Sequence, residues 1–86
     1  MLPGSVISHQ IREALAKRLN RDVSTIGIHQ RLREDLGLDS LAMIELLFDV
    51  EEAFDLEIPD SDFHKLGTVG SVVQYVEEKA KPSPLS

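Results

Sequence analysis

At 86 residues the chain has room for one domain with one core, and too little for two. Hydrophobic residues make up 42% and charged residues 28%, which excludes the apolar-poor balance of a disordered chain; the lack of cysteine excludes disulfides, thiolate metal sites and a protein thiol nucleophile. The net charge of −6 is unevenly spread, because all nine Lys and Arg residues lie before Glu34 or after His64, so the acids from Glu34 to Asp62 form a field that repels nucleic acid and anionic lipid and attracts basic surfaces.

The opening MLPGSVISHQIREAL has neither the basic start nor the unbroken apolar run of a secretory signal, and no segment approaches the ~20 apolar residues of a membrane span. A cytoplasmic chain without stable membrane insertion is expected. Ile7, Ile11, Ala14, Leu15 and Leu19 recur at helical spacing, with Pro3 and Ser5 suited to a helix start and Asn20 to its end, so a first helix is predicted over about Ser5 to Leu19. Residues 20 to 39 read as a long loop whose Ile26, Ile28 and Leu32 alternate with polar groups, which predicts a loop lying on the core. Asp39 is suited to cap a second helix running to about Phe54. Pro59 opens a short helical turn over 60 to 65, which Gly67 is expected to end with a positive φ. Thr68 then caps a last helix carrying Val69, Val72, Val73 and Val76, poor helix formers that packing must hold in place. The resulting fold class is all-α: a small four-helix bundle of three main helices and one short one, with residues 1–81 as the domain and 82–86, rich in proline, as a disordered tail.

On a wheel advancing roughly 100° per residue, Met43, Leu46, Leu47, Val50 and Phe54 gather within about 100° of arc, the width of a core-facing stripe. Leu41, Ile44 and Phe48 form a second stripe about 140° away. A bundle this small can hardly bury both. The second stripe is framed by Glu45, Glu51 and Glu52, and an apolar strip edged with acids reads as a binding surface, with Ile44 expected to be its most exposed member.

The run DLGLDSL, the amphipathic helix that follows it, EEAFDLEIPD and the valine-rich last helix stand in the order of an acyl carrier protein, and the resemblance spans residues 6 to 80. It implies that Ser40, between Asp39 and Leu41, accepts 4′-phosphopantetheine from coenzyme A through a separate holo-acyl-carrier-protein synthase or another phosphopantetheinyl transferase using Mg²⁺. Acyl groups would ride as thioesters on the thiol of that arm, so the chain would be a carrier and not an enzyme. By the same resemblance, Asp39 matches the acid that the synthase recognises, and Ile44, Glu45, Phe48, Glu51 and Glu52 match positions that meet basic surfaces of loading, condensing and acyl-transfer enzymes. Leu46, Leu47 and Val50 would line a cavity that shelters the acyl chain, beside their ordinary work as core. The carrier is expected to be a monomer.

Some residues depart from the fatty-acid carrier pattern. Ala42 stands where an acid is common, Asp49 where a small apolar residue is usual, and Arg31 and Arg33 bring positive charge beside the acidic helix. These shifts favour a dedicated carrier for a particular fatty-acid, polyketide or lipid-modifying pathway. An amino-acid or peptidyl carrier is the related alternative, against which Leu38 stands in place of a small residue. A third reading is an acidic helical adaptor with no prosthetic group. Catalysis has little support, since His9, His29 and His64 are scattered and none lies at helical distance from Ser40. No metal site is expected, because DSD at 60 to 62 lacks the spacing of a calcium loop.

Overall fold

Proline is tolerated in the first turn of a helix, where its missing N–H costs nothing, and α1 runs over Pro3–Leu19, starting two residues before the expected Ser5. The computed structural model describes residues 3–80, so the tail expected at 82–86 lies outside the described residues. Asn20 ends α1 in the left-handed conformation at φ 56. Around it the Arg21 N–H reaches the Ala16 carbonyl at 2.9 Å and the Asn20 N–H reaches Lys17 at 3.3 Å, the paired bonds of a Schellman stop.

The long connection is more ordered than the sequence suggested. A one-turn 3-10 helix, Val23–Thr25, was not anticipated; Asp22 caps it, accepting from the Ser24 N–H at 3.0 Å. Ile26 and Leu32 are fully buried as expected, but Ile28 is 46% exposed. The reason lies in its backbone. The Ile28 carbonyl accepts the Gly70 N–H at 2.8 Å, Leu32 donates to Gly67 at 2.9 Å and Val69 donates to Gln30 at 3.0 Å, so the loop runs antiparallel to the start of the last helix for a few residues. That pairing turns Ile28 outward. Arg12 of α1 fastens the other side, donating from Nε to the Ile26 carbonyl at 2.7 Å.

The second helix, α2, spans Ser40–Phe54, and Asp55 ends it at φ 53 while the Leu56 N–H returns to the Glu51 carbonyl. A short 3-10 helix follows at Asp60–Lys65. Gly67 is not left-handed as expected. The turn instead closes through Leu66, whose N–H bonds back to Phe63 at a φ of −105, so no positive φ is required. α3 covers Val69–Ala80. Thr68 and Ser71 cap it reciprocally: each side-chain oxygen accepts the other's backbone N–H, at 2.9 and 3.0 Å.

Among the described residues these elements make an all-α bundle of three long helices and the short one at Asp60–Lys65, with the one-turn Val23–Thr25 helix in the long connection, an isolated β-bridge between Arg31 and Thr68 and no strand. Ile7, Ile11 and Leu15 from α1, Leu46, Leu47 and Val50 from α2, and Val69, Val72, Val73 and Val76 from α3 meet in one core that contains no buried polar side chain among the described residues. Ala16, not the expected Ala14, completes the α1 face. Valines in α3 lose side-chain freedom in a helix, and this burial compensates, at about 25 cal/mol per Å² of apolar surface removed from water.

Candidate functional site at the start of the second helix

Where α2 begins is decided by the nine residues before it, Arg31 to Asp39. The chain makes a helical turn from Arg31, with the Asp35 and Leu36 N–H groups bonded to the Arg31 carbonyl and Gly37 bonded to Arg33. Arg31 and Asp35 lock this turn: the guanidinium Nε lies 3.2 Å from the carboxylate, and the Arg31 N–H donates to the same oxygen at 2.7 Å. These bonds hold the Asp35 carboxyl below the usual carboxylate range. Leu36 and Leu38 are 3% and 4% exposed, so both side chains drive into the core. Gly37 between them takes a φ of 73, the left-handed conformation that lets the turn stop while both leucines stay inside.

Asp39 emerges from that anchor with extended backbone and caps α2, its carboxylate accepting the Ala42 N–H at 2.8 Å. Ser40 is the first residue of the helix and is exposed. Its hydroxyl is therefore rigidly placed, open to solvent and at the positive end of the helix dipole, where an anionic group is favoured. Among the described residues its side chain has one hydrogen-bond partner, the Arg33 Nη2 at 3.3 Å. Among the described residues no histidine or carboxylate is bonded to it to act as a base. The site thus suits a hydroxyl modified by another protein's machinery better than one that performs chemistry itself.

Beyond Ser40 the two stripes of α2 separate as expected. Leu46, Leu47 and Val50 are buried, and Met43 and Phe54 are partly buried against them. Leu41, Ile44 and Phe48 are 65%, 39% and 57% exposed. The order differs from expectation, since Ile44 is the least exposed of the three. Phe48 edges a shallow depression with Glu51, Glu52 and Asp55, so the apolar strip meets acids at its C-terminal end.

The acids themselves are more committed than sequence reading allowed. Arg18 of α1 reaches Glu45 at 2.9 Å and also pairs with Asp49, which joins α1 to α2 and raises the pKa of its own guanidinium. The Glu51 carboxylate accepts the Ile58 N–H at 2.7 Å, securing the chain beyond Asp55. Glu52 is exposed and has no side-chain partner among the described residues. The acidic segment, unbroken in sequence, is therefore met in space by Arg18, which pairs with Glu45 and Asp49, and by Arg31, which pairs with Asp35. Asp49 was the one signal of this, an acid out of pattern on a face turned toward α1.

The family model for the phosphopantetheine attachment site matches residues 9–76. An acyl carrier protein of an Exiguobacterium strain is 46% identical over 69 residues, covering 80% of this chain and 87% of that protein. One from Wolinella succinogenes is 41% identical over 71 residues, covering 83% and 93%. Among solved structures, a Mycobacterium tuberculosis chain described as a candidate acyl carrier protein superposes with a TM-score of 0.78 at 32% identity, covering 84% of this chain and 96% of that one. The Enterococcus faecalis acyl carrier protein gives 0.77 over 91% and 99% at 22% identity, a likeness of fold. With these matches over nearly its whole described length, the chain belongs to the acyl carrier protein family, which carries covalent 4′-phosphopantetheine and does not catalyse.

Proposed function

We propose that Ser40 is the attachment point for 4′-phosphopantetheine, and that the chain carries acyl intermediates of a fatty-acid, polyketide or related lipid pathway among cytoplasmic enzymes. The observation that carries this reading is the exposed Ser40 hydroxyl, fixed at the first position of α2 behind the Asp39 cap. In the transfer, the Ser40 oxygen forms the new O–P bond and gives up its proton while the nucleotide half of coenzyme A leaves. A thiol at the end of the arm then supplies thioester chemistry that this cysteine-free chain lacks.

The residues around Ser40 divide the remaining work. Asp39 holds the helix start, while Leu41, Ile44 and Phe48 offer an apolar strip to a partner. Glu52 is the acid best placed to meet a basic surface, since Glu45 and Glu51 already serve contacts within the chain. Leu46, Leu47 and Val50, buried side by side, are where a sheltered acyl chain would enter. Partners are a phosphopantetheinyl transferase and the loading, condensing and acyl-transfer enzymes of the pathway, each meeting a monomeric carrier.

Intact mass after incubation with coenzyme A and a broad-specificity phosphopantetheinyl transferase tests the assignment. The native chain should gain one phosphopantetheinyl group, and Ser40→Ala should fold normally and gain none. A group mapped to Ser5, Ser8, Ser24, Ser61 or Ser71 would overturn it.

A further inference from the structure

Arg33 stands out among the arginines near the acidic segment because nothing acidic claims it. Arg18 is taken by Glu45 and Asp49, and Arg31 by Asp35. Among the described residues Arg33 forms no ion pair, although Glu34 and Asp35 are its sequence neighbours. Its one side-chain hydrogen bond goes to the Ser40 hydroxyl, at 3.3 Å. The turn that carries it is held by the Arg31–Asp35 pair and by the Gly37 N–H on the Arg33 carbonyl, so the guanidinium is presented from a fixed base.

We infer that Arg33 is a positioning residue for the arm: its guanidinium clasps the phosphodiester that modification places on Ser40. This rests on the Ser40 attachment proposed above. The new phosphorus is bonded to the same oxygen that Arg33 already addresses, and its two free oxygens present the bidentate pattern a guanidinium fork matches. Loading adds a negative charge to a chain whose net charge is already −6, beside a segment without a Lys or Arg from Glu34 to His64. Arg33 offsets that charge at its root and, together with the helix N-terminus, holds the first atoms of the arm on one side of Ser40. A lysine would offset the charge but not match the fork.

The test is a cycle between modification and residue 33. The native chain, Arg33→Gln and Arg33→Lys are each prepared unmodified and loaded, with intact mass confirming the load. Melting temperature is read in about 20 mM and about 1 M NaCl, between which screening shortens from roughly 20 Å to 3 Å. Because the pair is exposed, the effect is modest. At low salt, loading should lower the melting temperature of Arg33→Gln by about 1 to 8 °C more than it lowers that of the native chain, with Arg33→Lys between, and the gap should close at high salt. In the native chain the Arg33 Nε–Hε resonance should also move on loading. Equal thermal changes at low salt, or an unmoved Arg33 resonance in a chain whose mass shows the load, would overturn the clasp alone. A native chain that gains no mass overturns the attachment and the clasp with it.

Discussion

The Tyr75 hydroxyl donates to the Asp62 carboxylate at 2.7 Å, which ties α3 to the short helix at Asp60–Lys65. Both groups respond. The bond from Tyr75, with Lys65 and Lys79 adding to it, holds the Asp62 carboxyl below its ordinary range. Burial first, and then Asp62, push the Tyr75 phenol up to about 12 from 10.0. In the alkaline range the folded chain therefore keeps a proton that the unfolded chain has lost. Tyr75 contributes stability that is whole below pH 10 and lost as pH rises toward about 12. Asp62 contributes stability present above the ordinary carboxylate pKa and lost as pH falls through its lowered value. Melting temperature should consequently fall more steeply between pH 10 and 12 in the native chain than in Tyr75→Phe. Lysine titration, common to both proteins, cancels in the difference; parallel curves would show that the bond contributes nothing.

The two faces of α2 predict opposite responses to truncation. Val50→Ala removes methyl groups at a residue only 2% exposed and should destabilise by about 1 to 3 kcal/mol. Ile44→Ala, at 39% exposure, should cost less than about 1 kcal/mol while slowing modification or weakening partner binding. Thermal melts and modification rates on both variants decide it. A large stability loss for Ile44→Ala would make the outer stripe part of the core.

What could be read from the letters was whatever repeats locally. Helical spacing found α1, α2 and α3, and Asp39 declared the start of α2, because caps and periodicity act within a few residues. The wheel separated Val50 from Phe48 for the same reason. Contacts between elements were not legible: Arg18 lies 27 positions from Glu45, and no spacing rule joins them. Arg33 was noted only as a charge beside the acids, since its direction toward Ser40 depends on how the turn from Arg31 to Gly37 closes. Ile28 was misplaced because an alternating pattern describes which residues could be buried, whereas the bonds to Gly70 decide which face turns inward.

Those bonds make Gly70 a sensitive position. A Cβ there would stand 2.9 Å from the Ile28 carbonyl oxygen, closer than side chains tolerate, and the obstacle is backbone. Gly70→Ala gains helix propensity worth up to about 1 kcal/mol, but overpacking costs typically 1 to 3 kcal/mol, so the clash should win. The variant should melt lower, and amide exchange should quicken at Leu32, Val69 and residue 70, whose N–H groups hold the loop to α3. Gly67→Ala meets nothing within 4 Å and supplies the control. An Ala at 70 that leaves exchange unchanged would show that the loop gives way without losing its bonds.

Glu51 and Glu52 are neighbours with different tasks, and separating them tests the partner surface. The Glu51 carboxylate accepts the part-buried Ile58 N–H at 2.7 Å, so Glu51→Ala strands a donor and should destabilise by about 1 to 3 kcal/mol. Glu51→Gln keeps an oxygen there and should recover most of that loss. Glu52 has no such duty among the described residues and stands in a crowded acidic field, so Glu52→Gln should leave the melting temperature unchanged or slightly raised. Its effect should fall on encounter with a basic transferase instead. Added NaCl weakens attraction between exposed charges, and the native chain should therefore be modified more slowly as salt rises, with Glu52→Gln slower at low salt and less responsive. Salt should at the same time raise the melting temperature of the free chain, because repulsion among the acids outside the Arg18 and Arg31 ion pairs is screened. Rates of modification across a salt series measure the first effect and melts of the same samples the second. If Glu52→Gln is modified at the native rate with the native salt dependence, the basic partner meets this carrier elsewhere on α2.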